Sequence, residues 1–366
     1  MARHTARASI CLLAALVILA GMAAGPALAC AGLVGRGGTV RLLRTATLAA
    51  YVDGQEHYLT SFSFAGGGAR FGSVIPLPGV PTEVRKGGGW TLQRLARETQ
   101  PVKEPFGATT LAAAAPQDVE ILRHTRIDAL DVTIVRGGGA AVGAWARKQG
   151  FDLSVDAPEV LDFYAARSQV FMAASFDARA AAERGQQLGD GTPIQLTIPT
   201  ANAWVPLRIL GLGHQPGERI DADVYLLTER RPALLPRPVA PGQAGVSLEQ
   251  SRPASSLLLD DLRRDKGMGW IPASDMHLSY LRVNTTAGEL THDLAIDASG
   301  RHSPSPVAAG LVAPGEPYAA PRPFPARVAS SWPWLAVALV AASGLALGIG
   351  SLQRAGRRAR QAGTQR

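Results

Sequence analysis

Two acidic residues and two histidines near the end of the polar part of the chain have the side chains of metal ligands. Asp275 and His277 stand at the start of one predicted strand, and His292 and Asp293 lie in the next strand along the chain. Imidazole and carboxylate groups bind zinc and other divalent metals. If the two strands pair, the four side chains could converge on one ion; otherwise they are solvated residues at strand ends. Because their spacing matches no known metal motif, we expect no resident cofactor.

Cys30 is the cysteine with a possible chemical role. Cys11 lies inside an apolar run that we expect to be removed with a secretory leader. Cleavage after Ala29 makes Cys30 the first mature residue, which permits acylation as in bacterial lipoproteins, although Ala27 and Leu28 fit a lipobox poorly. A free or partner-bound thiol is the alternative. An intramolecular disulfide is excluded, because the mature chain has one cysteine.

Motifs of common enzyme classes are absent from the sequence. Runs of three glycines occur at 66–68, 87–89 and 137–139, but none has the G-x-G-x-x-G pattern, and we interpret them as turns. There is no G-x-S-x-G nucleophile elbow, no H-E-x-x-H zinc helix and no G-x-x-x-x-G-K-[ST] phosphate loop. We therefore predict no catalytic and no cofactor-binding residues.

Three other features have a structural and a functional interpretation. His57 follows a predicted hairpin turn and is expected on an exposed strand face. Arg208, between apolar neighbours, is expected to form a salt bridge inside the fold; substrate recognition is the alternative. The segment Pro76–Pro81 is expected to be a rigid crossover packed on the core, and with Phe71 and Trp90 it could instead form an aromatic and proline-rich surface for a partner.

The two ends of the chain carry export and membrane signals. Residues 1–29 have a basic start, an apolar run from Ile10 to about Ala24 and the small-residue ending Ala27-Leu28-Ala29, which predicts a signal peptide; a retained helix is the alternative. Residues 334–352 carry no charge and approach the roughly 20 needed to cross a bilayer. Since arginines follow in the tail 353–366, the positive-inside rule predicts a single-pass protein with its ectodomain outside and its tail in the cytoplasm. A buried soluble helix is the alternative for this segment.

The basicity of the chain also belongs to its ends. The formal net charge is +8, from 37 basic and 29 acidic residues in 366. Residues 1–7 and 354–366 together contain seven arginines and no acidic residue, so residues 8–353 have a net charge of +1. This distribution argues against a nucleic-acid partner, which requires a basic surface on the folded domain. The seven are Arg3, Arg7, Arg354, Arg357, Arg358, Arg360 and Arg366.

Between the ends, short β-strand patterns dominate. Val40–Val52 and Gln55–Phe64 are predicted strands joined by Asp53-Gly54, a strong two-residue hairpin signal. We expect an α+β, β-rich fold with mostly antiparallel sheets and a few short helices, plus the C-terminal transmembrane helix. The other predicted strands are 71–75, 127–135, 170–176, 194–198, 204–210, 224–228, 277–284 and 289–296, and the predicted helices are 90–100, 141–149 and 256–264.

The proline distribution divides the chain further. Residues 30–302 are expected to form the extracytoplasmic domain, with a long proline-rich loop at 231–255. Residues 303–333 contain many prolines and no apolar periodicity, so we expect an extended stalk there.

Several of these segments resemble the bacterial domain-of-unknown-function family 2330. The resemblance covers roughly Cys30 to Arg230, and many members have Gly directly after the cysteine, whereas Ala31 stands there in this chain. It implies a signal peptide, an extracellular domain and often a C-terminal span, and it implies no catalytic residues. The segments are Cys30-Ala31-Gly32, the Asp53-Gly54 hairpin, HYLTSFSFAG, FGSVIPLPGVPTEV, GGGWTLQRLARETQP, AWARKQGF and TANAWVPLRIL.

These observations favour a membrane-tethered, cell-surface domain that binds a protein or envelope partner and does not catalyse a reaction. Two alternatives stay open: an extracytoplasmic enzyme with an unrecognised site, and an accessory or sensor subunit of another membrane protein.

Overall fold

Strands are the main regular secondary structure of the described residues, as the sequence predicts. The structure is a computed structural model that describes residues 32–35, 39–67, 71–99, 119–176 and 192–319. Four short helices accompany the strands in this part of the chain, which confirms the β-rich fold class. The helices are α1 (Thr91–Thr99), α2 (Gly139–Lys148), α3 (Ala157–Ala165) and α4 (Ser256–Arg264).

The strands are numbered in chain order. They are β1 (Gly32–Gly35), β2 (Thr39–Val52), β3 (Gln55–Gly67), β4 (Phe71–Pro76), β5 (Glu83–Lys86), β6 (Glu120–Ile127), β7 (Leu130–Arg136), β8 (Phe151–Asp152), β9 (Val170–Phe176), β10 (Ile194–Pro199), β11 (Ala203–Val205), β12 (Arg219–Thr228), β13 (Ala233–Leu235), β14 (Gly245–Pro253), β15 (His277–Thr286) and β16 (Leu294–Asp297).

A seven-stranded sheet with the order β14-β15-β12-β2-β3-β10-β5 forms one layer. Its centre is the predicted hairpin β2–β3. The turn residues Asp53 and Gly54 have φ angles of 51° and 73°, which a tight two-residue turn with the twist of the strands requires. All neighbours are antiparallel except β2 and β12, which run parallel.

A six-stranded antiparallel sheet, β6-β7-β9-β4-β1-β8, forms a second layer, and β11-β16-β13 form a small third sheet. Alternate side chains of all three sheets share one apolar core, in which Met172, Leu196, Leu226 and Leu294 are almost fully buried. Burial of each such side chain contributes about 1.5–3 kcal/mol. The inward faces of the two large sheets therefore hold the domain together.

Helices cover the outer faces of both large sheets. α1 and α4 pack on the seven-stranded sheet, and Leu258, Leu259 and Leu262 of α4 are fully buried there. Ser255 caps α4, since its side-chain oxygen accepts a hydrogen bond from the Leu258 N–H at 3.2 Å. α2 and α3 pack on the six-stranded sheet, where Trp145 of α2 is buried in a second apolar cluster.

The predicted loop at 231–255 is wrong, because it contains β13 and β14. β14 forms an edge of the seven-stranded sheet by pairing with β15. Its Pro253 is the last residue of this edge strand, where a missing N–H is tolerated. Pro232 and Pro236 flank β13 rather than interrupt it. The prolines therefore delimit strands and do not mark one continuous loop.

Other element boundaries also differ from the prediction. The strand predicted at 204–210 ends at Val205 and is followed by a 3₁₀ turn, Arg208–Gly211. The strand predicted at 289–296 is confined to β16, preceded by the turn Ala287–Glu289. The sequence patterns predicted neither β6 nor α3. β6 gave no strand signal because it is mostly exposed and lacks a regular apolar alternation.

The expected stalk at 303–333 is wrong for its first part. Ala308 and Ala309 are buried against the cluster that includes α2 and α3, and the compact unit extends to Tyr318. The predicted signal peptide 1–29, Cys30, the apolar segment 334–352 and the predicted tail 353–366 lie outside the described residues. Within the described ranges, no helix has the length and apolar character needed to cross a membrane.

Candidate functional site

The four predicted metal ligands do not come together. β15, which begins at His277, pairs with β12 and β14, whereas β16, which follows Asp293, pairs with β11 and β13. The pairing on which the predicted site depends is therefore not formed. Across the described ranges, no group of three or more histidine, cysteine, aspartate or glutamate side chains could hold a metal ion. The residues serve separate parts of the fold.

His277 forms a side-chain pair with a serine. Its Nε2 atom lies 2.9 Å from the Oγ of Ser251, across the neighbouring strands β15 and β14. Burial lowers the pKa of His277, and the nearby Arg231 guanidinium lowers it further, so the imidazole is neutral at pH 7. Asp275 precedes this pair and accepts a hydrogen bond from the Ser274 hydroxyl at 2.7 Å. A neutral imidazole beside a serine has the geometry of a base and a nucleophile.

Asp293 is a fully buried carboxylate with partners from three segments. Oδ1 accepts hydrogen bonds from the Tyr164 hydroxyl at 2.7 Å and from the Leu207 and Arg208 N–H groups at 2.7 and 2.9 Å. Oδ2 accepts a hydrogen bond from Arg167 Nη2 at 2.6 Å. Hydrogen bonds to both oxygens of this carboxylate connect three parts of the fold: α3, the segment that follows β11, and the start of β16.

Arg167 lies directly after α3 and is almost fully buried. Its guanidinium carbon is 4.1 Å from the ring centroid of Phe163 and 4.9 Å from those of Tyr164 and Trp204. Aromatic faces attract a cation at such distances, and Asp293 balances the buried charge. The rings and the carboxylate together fix Arg167 in one position.

Arg208 and His292 flank this network. Arg208 lies 4.3 Å from the centroid of the Phe163 ring and forms an ion pair with Glu159 of α3, whose side chain is exposed, so the predicted salt bridge forms at the surface and not inside the fold. His292 contacts the hydroxyl of its neighbour Thr291 at 3.2 Å, and burial lowers its pKa. Among the described residues, His292 and His277 do not belong to a common group of metal ligands.

The glycine run before α1 surrounds a carboxylate of the protein itself. Asp265 accepts hydrogen bonds from the Gly89, Trp90 and Thr91 N–H groups at 3.1, 2.9 and 2.8 Å and from the Thr91 hydroxyl at 2.8 Å. A Cβ on Gly88 would overlap this carboxylate. The run is a turn, as predicted, and Asp265 takes the place that an external anion would take at a helix N-terminus.

Glu56 is the buried carboxylate that lacks such partners. Its side chain is 1% exposed, and both of its oxygens lie without a hydrogen-bond partner. Burial raises its pKa to about 8, and the nearby main-chain N–H of Trp204, which makes no hydrogen bond of ordinary geometry with the carboxyl group, acts in the opposite direction. Opposite Glu56 on β2 is Tyr51, whose pKa is raised by burial and by the Glu56 charge. Sequence patterns missed this residue, although it shares the inward face of β3 with Tyr58.

His57, on the other face of β3, is half-buried rather than exposed, which corrects the prediction. The indole of Trp270 stacks on its ring, with centroids 3.9 Å apart and planes 7° from parallel. Burial lowers the pKa of His57 to about 4, and Arg85 contributes to this shift. Trp270 lies far from His57 in the sequence, so the alternating pattern of β3 could not predict that its indole covers the imidazole.

A small cavity lies in the core between β2 and the segment 205–210. Its volume of about 20 Å³ admits one water molecule and nothing larger. Thr45 lines it, and the Thr45 hydroxyl has no partner in the protein. The cavity is therefore a water site rather than a ligand pocket.

Comparison with known proteins identifies the family and no activity. No curated protein matches the chain. A solved structure that resembles it is the crystal structure of baculovirus P35, with a TM-score of 0.38 and 9% sequence identity over 72% of this chain and 98% of that one. Residues 24–237 match the family model described as an uncharacterized protein conserved in bacteria, DUF2330. This match includes the resemblance found in the sequence, and the chain belongs to that family.

Proposed function

We propose that the chain is an extracytoplasmic domain tethered to the bacterial membrane, which acts by binding a protein or envelope partner. The observation that carries the tether is the uncharged stretch 334–352 followed by an arginine-rich tail, after a region of almost neutral charge. The family match supports a bacterial setting.

The use of the buried charges supports a binding role. Asp265 and Asp293 each receive hydrogen bonds from distant segments, so these carboxylates stabilise the fold instead of facing a substrate. A domain fixed in this way offers a constant surface to a partner.

Protease treatment of intact cells tests the topology. We expect external protease to remove the domain and leave the arginine tail, detected with a C-terminal tag, protected. Cells opened with detergent serve as the control, since the tag is then digested as well. A domain that resists external protease in intact cells and is digested in opened cells contradicts the proposal.

Partner capture separates binding from the accessory-subunit alternative. Crosslinking in the native membrane, purification through the tag and mass spectrometry should recover an envelope or surface partner. A stoichiometric membrane-protein complex would favour the accessory or sensor subunit.

A hydrolytic enzyme is the second candidate, because Ser251 and His277 lie at hydrogen-bond distance. Arg231, a cation, lowers the pKa of this imidazole, whereas the carboxylate of a catalytic triad would raise it. A fluorophosphonate probe tests this candidate. If the probe labels the wild-type protein, and if Ser251→Ala and His277→Gln each abolish the labelling, the result favours an enzyme over a binding domain.

A further inference from the structure

Residues 303–311 form a strap that closes on itself. The N–H groups of Ala309, Gly310 and Leu311 donate to the carbonyls of residues 305, 307 and 306 at 3.0, 2.9 and 3.0 Å. Residues 300–303 before the strap and 313–317 after it are exposed. The strap is therefore a local turn joined to the domain by two exposed connections.

The domain presents a seat of matching shape, formed by α3, Arg167 and the N–H of Asp293. Arg167 Nη1 donates to the Ala308 carbonyl at 2.6 Å, and the Asp293 N–H donates to the Ala309 carbonyl at 2.9 Å. The methyl groups of Ala308 and Ala309 are buried in the seat. Two donors and a small apolar slot thus receive two consecutive small residues.

Glycine is required at the next position. Gly310 has a φ of 70°, in the left-handed region, and a Cβ there would overlap the Phe163 ring. The seat therefore selects two alanine-sized residues followed by glycine.

Most of the contacts that hold Arg167 in the seat come from outside the strap. Arg167 is held by Asp293 and by the rings of Phe163, Tyr164 and Trp204, and its Nε donates to the Phe163 carbonyl at 3.3 Å. The Asp293 carboxylate receives all of its hydrogen bonds from outside the strap. Departure of the strap would leave two donors aimed into a slot that keeps its shape.

We propose that this seat is a peptide-binding site that residues 303–311 occupy in cis. Once the strap is displaced, the seat takes a turn of two alanine-sized residues and a glycine from a partner chain. The site deepens the binding function proposed above and rests on it for its biological role. The partner is recognised by two successive carbonyls, two methyl-sized side chains and a left-handed glycine.

Displacement of the strap in the full-length protein tests the site. Gly310→Val forces the strap out, and Gly315→Val is the matched control, because Gly315 also has a positive φ but no atom within 4 Å of a Cβ. The probe is a fluorescent peptide, SPVAAGLV, with the sequence of residues 305–312. We expect at least tenfold tighter binding to the Gly310→Val protein than to the control. A peptide with leucine in place of the second alanine should not bind.

The proposal would be overturned if the peptide bound Gly310→Val and Gly315→Val equally, or if the leucine-substituted peptide bound as well as SPVAAGLV. If Gly310→Val does not fold, a protease site placed in the exposed connection 300–303 provides a second test. After cleavage, the added peptide should exchange with the strap, and failure to exchange also overturns the proposal. Both readouts use purified protein, so their failure is distinguishable from failure of the proposed membrane topology, which protease treatment of cells decides.

Discussion

Replacement of Glu56 by glutamine should make the protein more stable at neutral and alkaline pH. In the folded protein, burial raises the pKa of this carboxyl to about 8, from an ordinary value of 4.5. Between these two values the unfolded chain loses the proton and the folded protein keeps it. The free energy of unfolding therefore falls as the pH rises through this range. Glutamine stays neutral, so the variant escapes this loss.

The size of the effect follows from the two pKa values. Each unit of difference corresponds to about 1.4 kcal/mol. Relative to wild type, the gain from Glu56→Gln should increase by about 2–3 kcal/mol between pH 5 and pH 7, and by about 4 kcal/mol at pH 8.5. The amide has its own unmet hydrogen bonds, but their cost is the same at every pH and cancels in this comparison.

Urea denaturation at pH 5, 7 and 8.5 measures the effect. Glu316→Gln makes the same chemical change at an exposed carboxylate and is the matched control. A difference between Glu56→Gln and wild type that stays constant from pH 5 to pH 8.5 would refute the assignment of Glu56 as a buried, protonated group.

Three further substitutions test the hydrogen-bonded carboxylates and are measured by the same denaturation assay at pH 7. Asp265→Asn should lower the free energy of unfolding by about 2–4 kcal/mol, because it removes the charge that the helix N-terminus contacts; the exposed Asp260→Asn should change it by less than about 0.5 kcal/mol. Gly88→Ala should cost about 1–3 kcal/mol through overlap with that carboxylate, and equal stabilities of Gly88→Ala and Gly89→Ala would contradict this, since a Cβ on Gly89 meets open space. Tyr164→Phe should cost about 1–3 kcal/mol, because it removes a buried hydroxyl that both donates and accepts; an unchanged stability would show that the network does not hold α3.

Local chemistry made part of the fold predictable. The Asp53-Gly54 pair specifies its own turn, and α1 follows a glycine run and ends before Pro101, so both appear where the sequence places them. Sheet order was not predictable, because the partner of a strand depends on packing at long range. β14 shows the consequence, since its prolines look like a loop until β15 provides a neighbour.

The site residues were harder to predict than the elements, because they act at a distance. Asp265 contacts Thr91, on a helix much earlier in the chain, and no spacing rule links the two. His277 begins β15 and Asp293 directly precedes β16, and these two strands lie in different sheets, so proximity along the chain suggested a cluster that the topology separates. Glu56 carries no signal beyond its place in an alternating pattern.

The parallel contact between β2 and β12 has a consequence for the order in which the protein folds. The β2–β3 hairpin emerges early from the ribosome, whereas β12 follows only after the whole six-stranded sheet has been synthesised. Until then one edge of β2 exposes unpaired main-chain groups, which attract other extended chains. Long-range pairing of this kind is slow, because a large loop must close first. A chaperone that shields this edge during synthesis would therefore raise the yield of folded protein more than a faster turn would.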